Sequence, residues 1–151
     1  MRVTIITDAS FCPNAHVGGY GYWIASNRKR IAGGGAFKNQ ISTSVHAEIF
    51  SIVNALWAGI KSNCILDGDE VLIQTDCITA IETFTTKRKN LSKQETDAIT
   101  YFNMAKEEQN LTINFRHVKG HSSVGNNRSI SQRNCDRVAK DHMRTQRIKY
   151  K

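Results

Sequence analysis

The chain has 151 residues, 40% of them apolar and 23% charged, the composition of one globular domain long enough to bury a core without staples. A single proline, Pro13, excludes a Pro-rich disordered chain, and no apolar run approaches the length of a membrane span. The net charge of +8 is unevenly placed: residues 1–115 hold 11 Lys+Arg and 11 Asp+Glu, whereas residues 116–151 hold 10 Lys+Arg and only Asp136 and Asp141. Such a basic segment belongs either to a protein with a phosphate-bearing partner or to a solvated charged helix.

Arg2 to Ala9 alternates and is β-branched, with apolar residues on both faces, which predicts a central strand. The run Val3–Ile6 is too short for the core of a signal peptide. Residues 10–17, with Pro13 and Asn14, read as a loop. Gly18-Gly19 opens a second strand to Ser26, and Arg30 to Phe37 gives a third, Gly-rich one, completing an antiparallel meander. Ser42-Thr43-Ser44 offers helix N-caps, Ser44 fitting well, ahead of an amphipathic helix over 45–60. Val71, Leu72 and Ile73 mark a fourth strand, which the intervening helix allows to run parallel to the first.

Asp76 to Thr83 starts another helix, and Lys87-Arg88-Lys89-Asn90 breaks it. A third helix spans Ser92 to Gln109 and a fifth strand Leu111 to Val118. Residues 119–130 are rich in Gly, Ser and Asn and read as a loop, and a last helix runs from Ser131 to about Arg147. No repeat or linker divides the chain, so residues 1–151 are expected to form one α/β domain, a five-stranded mixed sheet flanked by helices.

The cysteines, Cys12, Cys64, Cys77 and Cys135, include no C-x-x-C pair and read as reduced thiols of a cytoplasmic protein. Neither Cys12 with His16 nor His117 with His121 has the remaining ligands of a tetrahedral zinc site.

Asp8 and Asp76 each end an apolar strand. If those strands are parallel neighbours, the two carboxylates face each other at the rim of the sheet, where ligand sites form in open α/β folds. Glu48 lies about one turn into the first long helix, and Asp136 lies in the last helix. Clustered carboxylates repel and call for a cation, and hard oxygen ligands select magnesium or manganese. Two such ions about 4 Å apart can drive phosphodiester hydrolysis.

These segments together resemble ribonuclease H of type 1. Thr7-Asp8-Ala9-Ser10 with Gly18-Gly19-Tyr20-Gly21, His46-Ala47-Glu48-Ile49, Gln74-Thr75-Asp76, Val118-Lys119-Gly120-His121 and Asn134-Cys135-Asp136-Arg137 resemble the family's five motifs in order. The resemblance implies a ribonuclease H-like fold, with strands 4 and 5 parallel to strand 1. It implies Asp8, Glu48, Asp76 and Asp136 as ligands of two Mg2+ (or Mn2+) ions: Asp8 and Asp76 on the water-side ion, completed by Asp136, and Asp8 and Glu48 on the other. His121 would be a mobile loop histidine assisting proton transfer or product departure. The implied reaction is cleavage of the RNA strand of an RNA–DNA hybrid, leaving 5′-phosphate and 3′-hydroxyl ends. Substrate contacts are expected from Ser10, Asn14, Ser44, Lys119 and Arg133.

The chain departs from the family's pattern in places. Ala9 stands where the best-known members carry Gly, and Ser44 and Val45 stand where they carry two Asn that contact RNA. The long basic protrusion of some bacterial members is absent, and the stretch from His121 to Asp136 is longer than usual. Two other readings remain: a nuclease of the same fold acting on DNA or structured RNA, and a non-catalytic nucleic-acid-binding module. A monomer with no membrane attachment is expected.

Overall fold

The computed structural model describes residues 1–86, 90–118 and 127–149, the last stretch without the side chains of 127–130, 132 and 149. Lys119 and His121, the basic run 87–89 and most of the stretch expected to form a loop before the last helix lie outside the described residues. The elements are β1 (Arg2–Cys12), β2 (Val17–Ala25), β3 (Arg30–Ala36), α1 (Ser44–Lys61), β4 (Glu70–Thr75), α2 (Ile78–Thr85), α3 (Lys93–Glu108), β5 (Thr112–His117) and α4 (Asn127–Lys149). The sheet order is β3-β2-β1-β4-β5, with β1–β2 and β2–β3 antiparallel and β1–β4 and β4–β5 parallel, in agreement with the expected meander and with strands 4 and 5 parallel to strand 1. Among the described residues no helix is long and apolar enough to cross a membrane.

One face of the sheet packs against α1 and α3. Ile5, Ile24 and Ile73 from the strands meet Ile49, Ile52 and Leu56 of α1, all fully buried. Each such side chain contributes roughly 1.5–3 kcal/mol by leaving water. Phe84, Phe102 and Phe115 stack at the α2–α3–β5 side, with centroids 4.4 to 6.0 Å apart. The other face of β1, β2 and β3 is covered by α4.

Several boundaries differ from the sequence expectation. β1 runs on to Cys12 and β2 begins at Val17, so the expected 10–17 loop shrinks to a four-residue turn. Tertiary pairing explains this: Ser10, Phe11 and Cys12 register with Gly19, Gly18 and Val17, and Phe11 packs on a second small core of Phe37, Ile41 and Ala47. His16, at φ 52°, closes the turn, and its carbonyl accepts from the Ile41 amide at 2.8 Å. The cap of α1 is Thr43, whose hydroxyl accepts from the His46 amide at 3.1 Å, so Ser44 is the first helical residue. α3 carries the full reciprocal cap, with Ser92 and Glu95 each accepting from the other's amide at 3.1 Å. α4 begins at Asn127, four residues before the expected start, because nothing in 127–130 is a Gly or Pro that would stop a helix propagating backwards.

At the end of the sheet away from the C-terminus of β4, Asp69 is only 3% exposed. It accepts from the Arg28 guanidinium and from the Leu66 amide at 2.8 Å, and the Met1 ammonium stands 3.5 Å away. Burial pushes its carboxyl up, but the Arg28 bond, the Leu66 amide and the nearby positive charges together hold it below the usual aspartate value. This knot ties the β2–β3 turn to the loop before β4.

Candidate active site

The β1–β4 ladder ends at the pair Ile6–Gln74. Two residues further along each chain come Asp8, on the same side of β1 as Ile6, and Asp76. Parallel pairing of two apolar strands therefore brings both carboxylates to one end of the sheet. Asp8 lies inside β1, since that strand continues along β2, whereas Asp76 sits just past the end of β4 and before Cys77, the N-cap position of α2. Glu48 enters from α1, just past its first turn.

One carboxylate oxygen from each of Asp8, Glu48 and Asp76 lies within 4.8 Å of the others. The Ala9 amide is shared between two of them, donating to Asp8 Oδ1 at 2.9 Å and Glu48 Oε1 at 3.3 Å. Glu48 Oε2 is buried and has no hydrogen-bond partner among the described residues. Burial first, then the charges of Asp76 and Asp136, pushes the Asp8 carboxyl up to about 7. Glu48 is likewise pushed up, by burial and then by Asp8 and Asp76. The one amide that Asp8 and Glu48 share cannot balance the charge of both. The cluster suits a divalent cation: three oxygen donors converge, one oxygen is orphaned, and the donor chemistry is that of magnesium or manganese.

Asp136 arrives on α4, whose seat is set by glycines. Gly21 pairs directly with Asp8 across the β1–β2 ladder. A β-carbon on Gly21 would overlap the Cys135 carbonyl and stand 2.9 Å from Cys135 Cα. At Gly19 it would stand 2.5 Å from the Met143 amide nitrogen. α4 thus lies on bare backbone, the Cys135 thiol reaches the Ile6 carbonyl at 3.6 Å, and the next residue, Asp136, comes beside Asp8. Asp136 stays outside the three-carboxylate cluster: its Oδ2 pairs with Lys140 Nζ at 2.9 Å, on a side chain 38% exposed. The sequence marked the glycines as part of a motif but carried no sign of their function, which exists only once α4 is packed. Cys135 itself is chemically quiet, its thiol pushed up to about 12 by burial.

Of the other expected site residues, those that the structure describes are not among the three clustered carboxylates. Ser10 is half-buried on β1 opposite Gly19, Asn14 is exposed in the β1–β2 turn, Ser44 is exposed at the start of α1, and Arg133 is exposed on α4. His46 holds α1 to α3: its Nδ1 lies 2.9 Å from Gln94 Oε1 and its Nε2 lies 3.7 Å from Glu95. Gln94 in turn donates to the Gln40 carbonyl at 2.8 Å.

No curated protein matches the sequence. Among solved structures, the N-terminal RNase H domain of a Mycobacterium tuberculosis protein is similar at 17% identity and TM-score 0.72, over 95% of this chain and 94% of that one. RNase H1 of the archaeon Halobacterium salinarum is similar at 14% identity and TM-score 0.72, over 96% and 99%. LC11-RNase H1, from compost, solved in complex with an RNA/DNA hybrid, is similar at 16% identity and TM-score 0.68, over 95% and 97%. At these identities the likeness is one of fold. The RNase H family model, by contrast, matches the sequence over residues 1–144, from β1 through most of α4. The chain therefore belongs to the RNase H family and is a ribonuclease H-type endonuclease.

Proposed function

We propose that the chain acts as a single domain, residues 1–151, that hydrolyses the RNA strand of RNA–DNA hybrids with divalent metal ions, leaving 5′-phosphate and 3′-hydroxyl ends. The observation that carries this reading is the convergence of one carboxylate oxygen each from Asp8, Glu48 and Asp76 within 4.8 Å, with Glu48 Oε2 buried and without a partner among the described residues. In this reading Asp8, Glu48 and Asp76 hold the metal and Asp136, beside Asp8, completes the set. Two divalent ions bound there would activate a water and stabilise the leaving 3′-oxygen.

The chain's own residues then have separable tasks. The Ala9 amide orients Asp8 and Glu48 toward a common point. Asp136, with its side chain 38% exposed, can exchange its Lys140 partner for the bound cation. His121 would accept or deliver a proton at the imidazole near the departing product. Ser10, Asn14, Ser44 and Lys119 would contact the substrate strands, and Arg133 with the other basic residues of α4 would hold phosphates. LC11-RNase H1, similar in fold, was solved with an RNA/DNA hybrid bound, which supports the choice of substrate. The four unpaired cysteines suit a reducing compartment such as the cytoplasm, and we propose a monomer there.

Matched 5′-labelled RNA–DNA hybrid, duplex DNA and duplex RNA, each incubated with Mg2+ or Mn2+, test the reading. Cleavage restricted to the RNA of the hybrid, with 5′-phosphate ends on the products, is expected. Comparable cutting of duplex DNA would replace it with a DNA-directed nuclease, and no cutting of any duplex would leave a binding module.

A further inference from the structure

The two ladders that hold β4 do not end together. Pairing with β1 stops at Gln74, whereas pairing with β5 runs one residue further, to Thr75 opposite His117, and is closed by the Val118 amide donating to the Thr75 carbonyl at 3.0 Å. Asp76 lies beyond both. There the chain turns toward α2, and the Cys77 amide is taken by Thr75 Oγ1 at 3.2 Å. Asp76 is thus a cluster carboxylate carried on backbone that the sheet has already released, facing two others that repel it.

The His117 ring reaches that backbone. Its Nε2 lies 3.1 Å from the Asp76 carbonyl oxygen. A carbonyl only accepts, so Nε2 carries the hydrogen, which both the Nε2–H tautomer and the imidazolium supply. The bond continues the β4–β5 pairing by one step, with a side chain in place of the main chain. It fixes the Asp76 peptide plane, and with it the direction in which the carboxylate leaves the backbone.

We propose that His117 is a positioning residue for the metal site, pre-setting Asp76 against carboxylate repulsion before the ion arrives. The inference rests on the proposed metal-binding role of Asp8, Glu48 and Asp76. His117 is exposed and lies at a strand end, so its ring can be replaced without opening the core.

The test is calorimetric titration of the metal-free wild type, His117→Phe and His117→Gln with Mn2+. His117→Phe is expected to bind about 10-fold more weakly, the usual scale for removing a residue that orients a metal ligand. The Mn2+ concentration for half-maximal hybrid cleavage should rise in step, with turnover at saturating Mn2+ and the metal-free unfolding midpoint unchanged. His117→Gln, which keeps an N–H donor, should recover part of the affinity. Wild-type affinity in His117→Phe would overturn the role of His117 and leave the metal site standing, whereas a wild type that binds no Mn2+ would overturn both. Separately, two-bond 1H–15N spectra of the metal-free wild type at alkaline pH should show His117 as the Nε2–H tautomer, and an Nδ1–H tautomer would overturn the inference whatever the variants do.

Discussion

Gly21 and Cys135 touch backbone to backbone: a side chain on Gly21 would collide with the Cys135 carbonyl, and its β-carbon would stand 2.9 Å from Cys135 Cα. Gly21 is also the cross-strand partner of Asp8. The glycine therefore fixes how far Asp136 stands from Asp8. Gly21→Ala must lift α4 or bend β2, at about 1–3 kcal/mol, and it should reduce metal-dependent cleavage well below the unfolding temperature. Gly33→Ala on the edge strand serves as the control, since only the tip of the Tyr22 side chain, its hydroxyl 2.8 Å from the added carbon, stands in the way. Equal activity in the two variants, each measured where it is folded, would show that α4 placement does not govern the site.

Asp8 makes metal-free stability depend on pH. Its carboxyl is raised to about 7 in the folded chain, against about 3.9 when unfolded. A carboxyl raised on folding favours the native state most when protonated. Its contribution is fully present below the unfolded value and is lost as the pH rises through about 7. The metal-free wild type should thus lose stability between about pH 4 and 8. Asp8→Asn should unfold at a higher temperature than wild type at pH 8 with chelator, by about 2–4 °C for each kcal/mol of repulsion removed. The same variant should cleave no hybrid and gain no stability from Mn2+. A variant less stable than wild type under those conditions, or one stabilised by Mn2+ as much as wild type is, would contradict the placement of Asp8 in a metal-seeking cluster.

Asp69 has the opposite sign. Its folded value lies below the unfolded one because Arg28, the Leu66 amide and the N-terminal charge outweigh burial. Its stability contribution is present above the unfolded value of about 3.9 and disappears as the pH falls through the folded one. Asp69→Asn should therefore destabilise the protein at neutral pH by roughly 1–3 kcal/mol, with the difference from wild type shrinking in acid. Hybrid cleavage below the unfolding temperature should be unaffected, since the knot lies at the far end of the sheet. A destabilisation that stayed constant down to about pH 2 would show that the ion pair does not stabilise the fold.

The contrast between Asp8 and Asp69 shows what the sequence could reveal. Asp8 and Asp76 each follow an apolar run, and the crossover helix allows the two strands to pair in parallel, so pattern alone suggests that the carboxylates meet. Asp69 reads as an ordinary turn residue in Asp67-Gly68-Asp69, because the guanidinium that buries it comes from Arg28, 41 residues earlier. The length of the β1–β2 hairpin and the function of Gly19 and Gly21 were hidden for the same reason: both depend on partners brought in by tertiary pairing. The strand-end bond from His117 to Asp76 also spans 41 residues and has no local signature. Motif position could find the carboxylates; what orients them became visible only with the packing of α4 and β5.

The basic C-terminal end makes a prediction about salt. The surplus of +8 lies within residues 116–151, and the helix α4 that carries much of it covers the sheet face bearing Asp8. Arg144, Arg147, Lys149 and Lys151 lie beyond His142 and Met143, which pack against Gly19, so deleting residues 144–151 keeps the part of the helix seated on that glycine and gives up Gln146, which lines a hollow with Val17 and Phe37. If these charges hold a nucleic-acid backbone, each phosphate they no longer neutralise should lower the slope of log affinity against log salt by about 0.9 for a B-form duplex. Deletion of residues 144–151 should therefore weaken hybrid binding at low salt, flatten its salt dependence, and leave single-turnover cleavage at saturating enzyme unchanged. An unaltered slope would make this end a solvated helix terminus and shift the phosphate grip to Arg133, Arg137 and Lys140, whose single substitutions would then carry the loss.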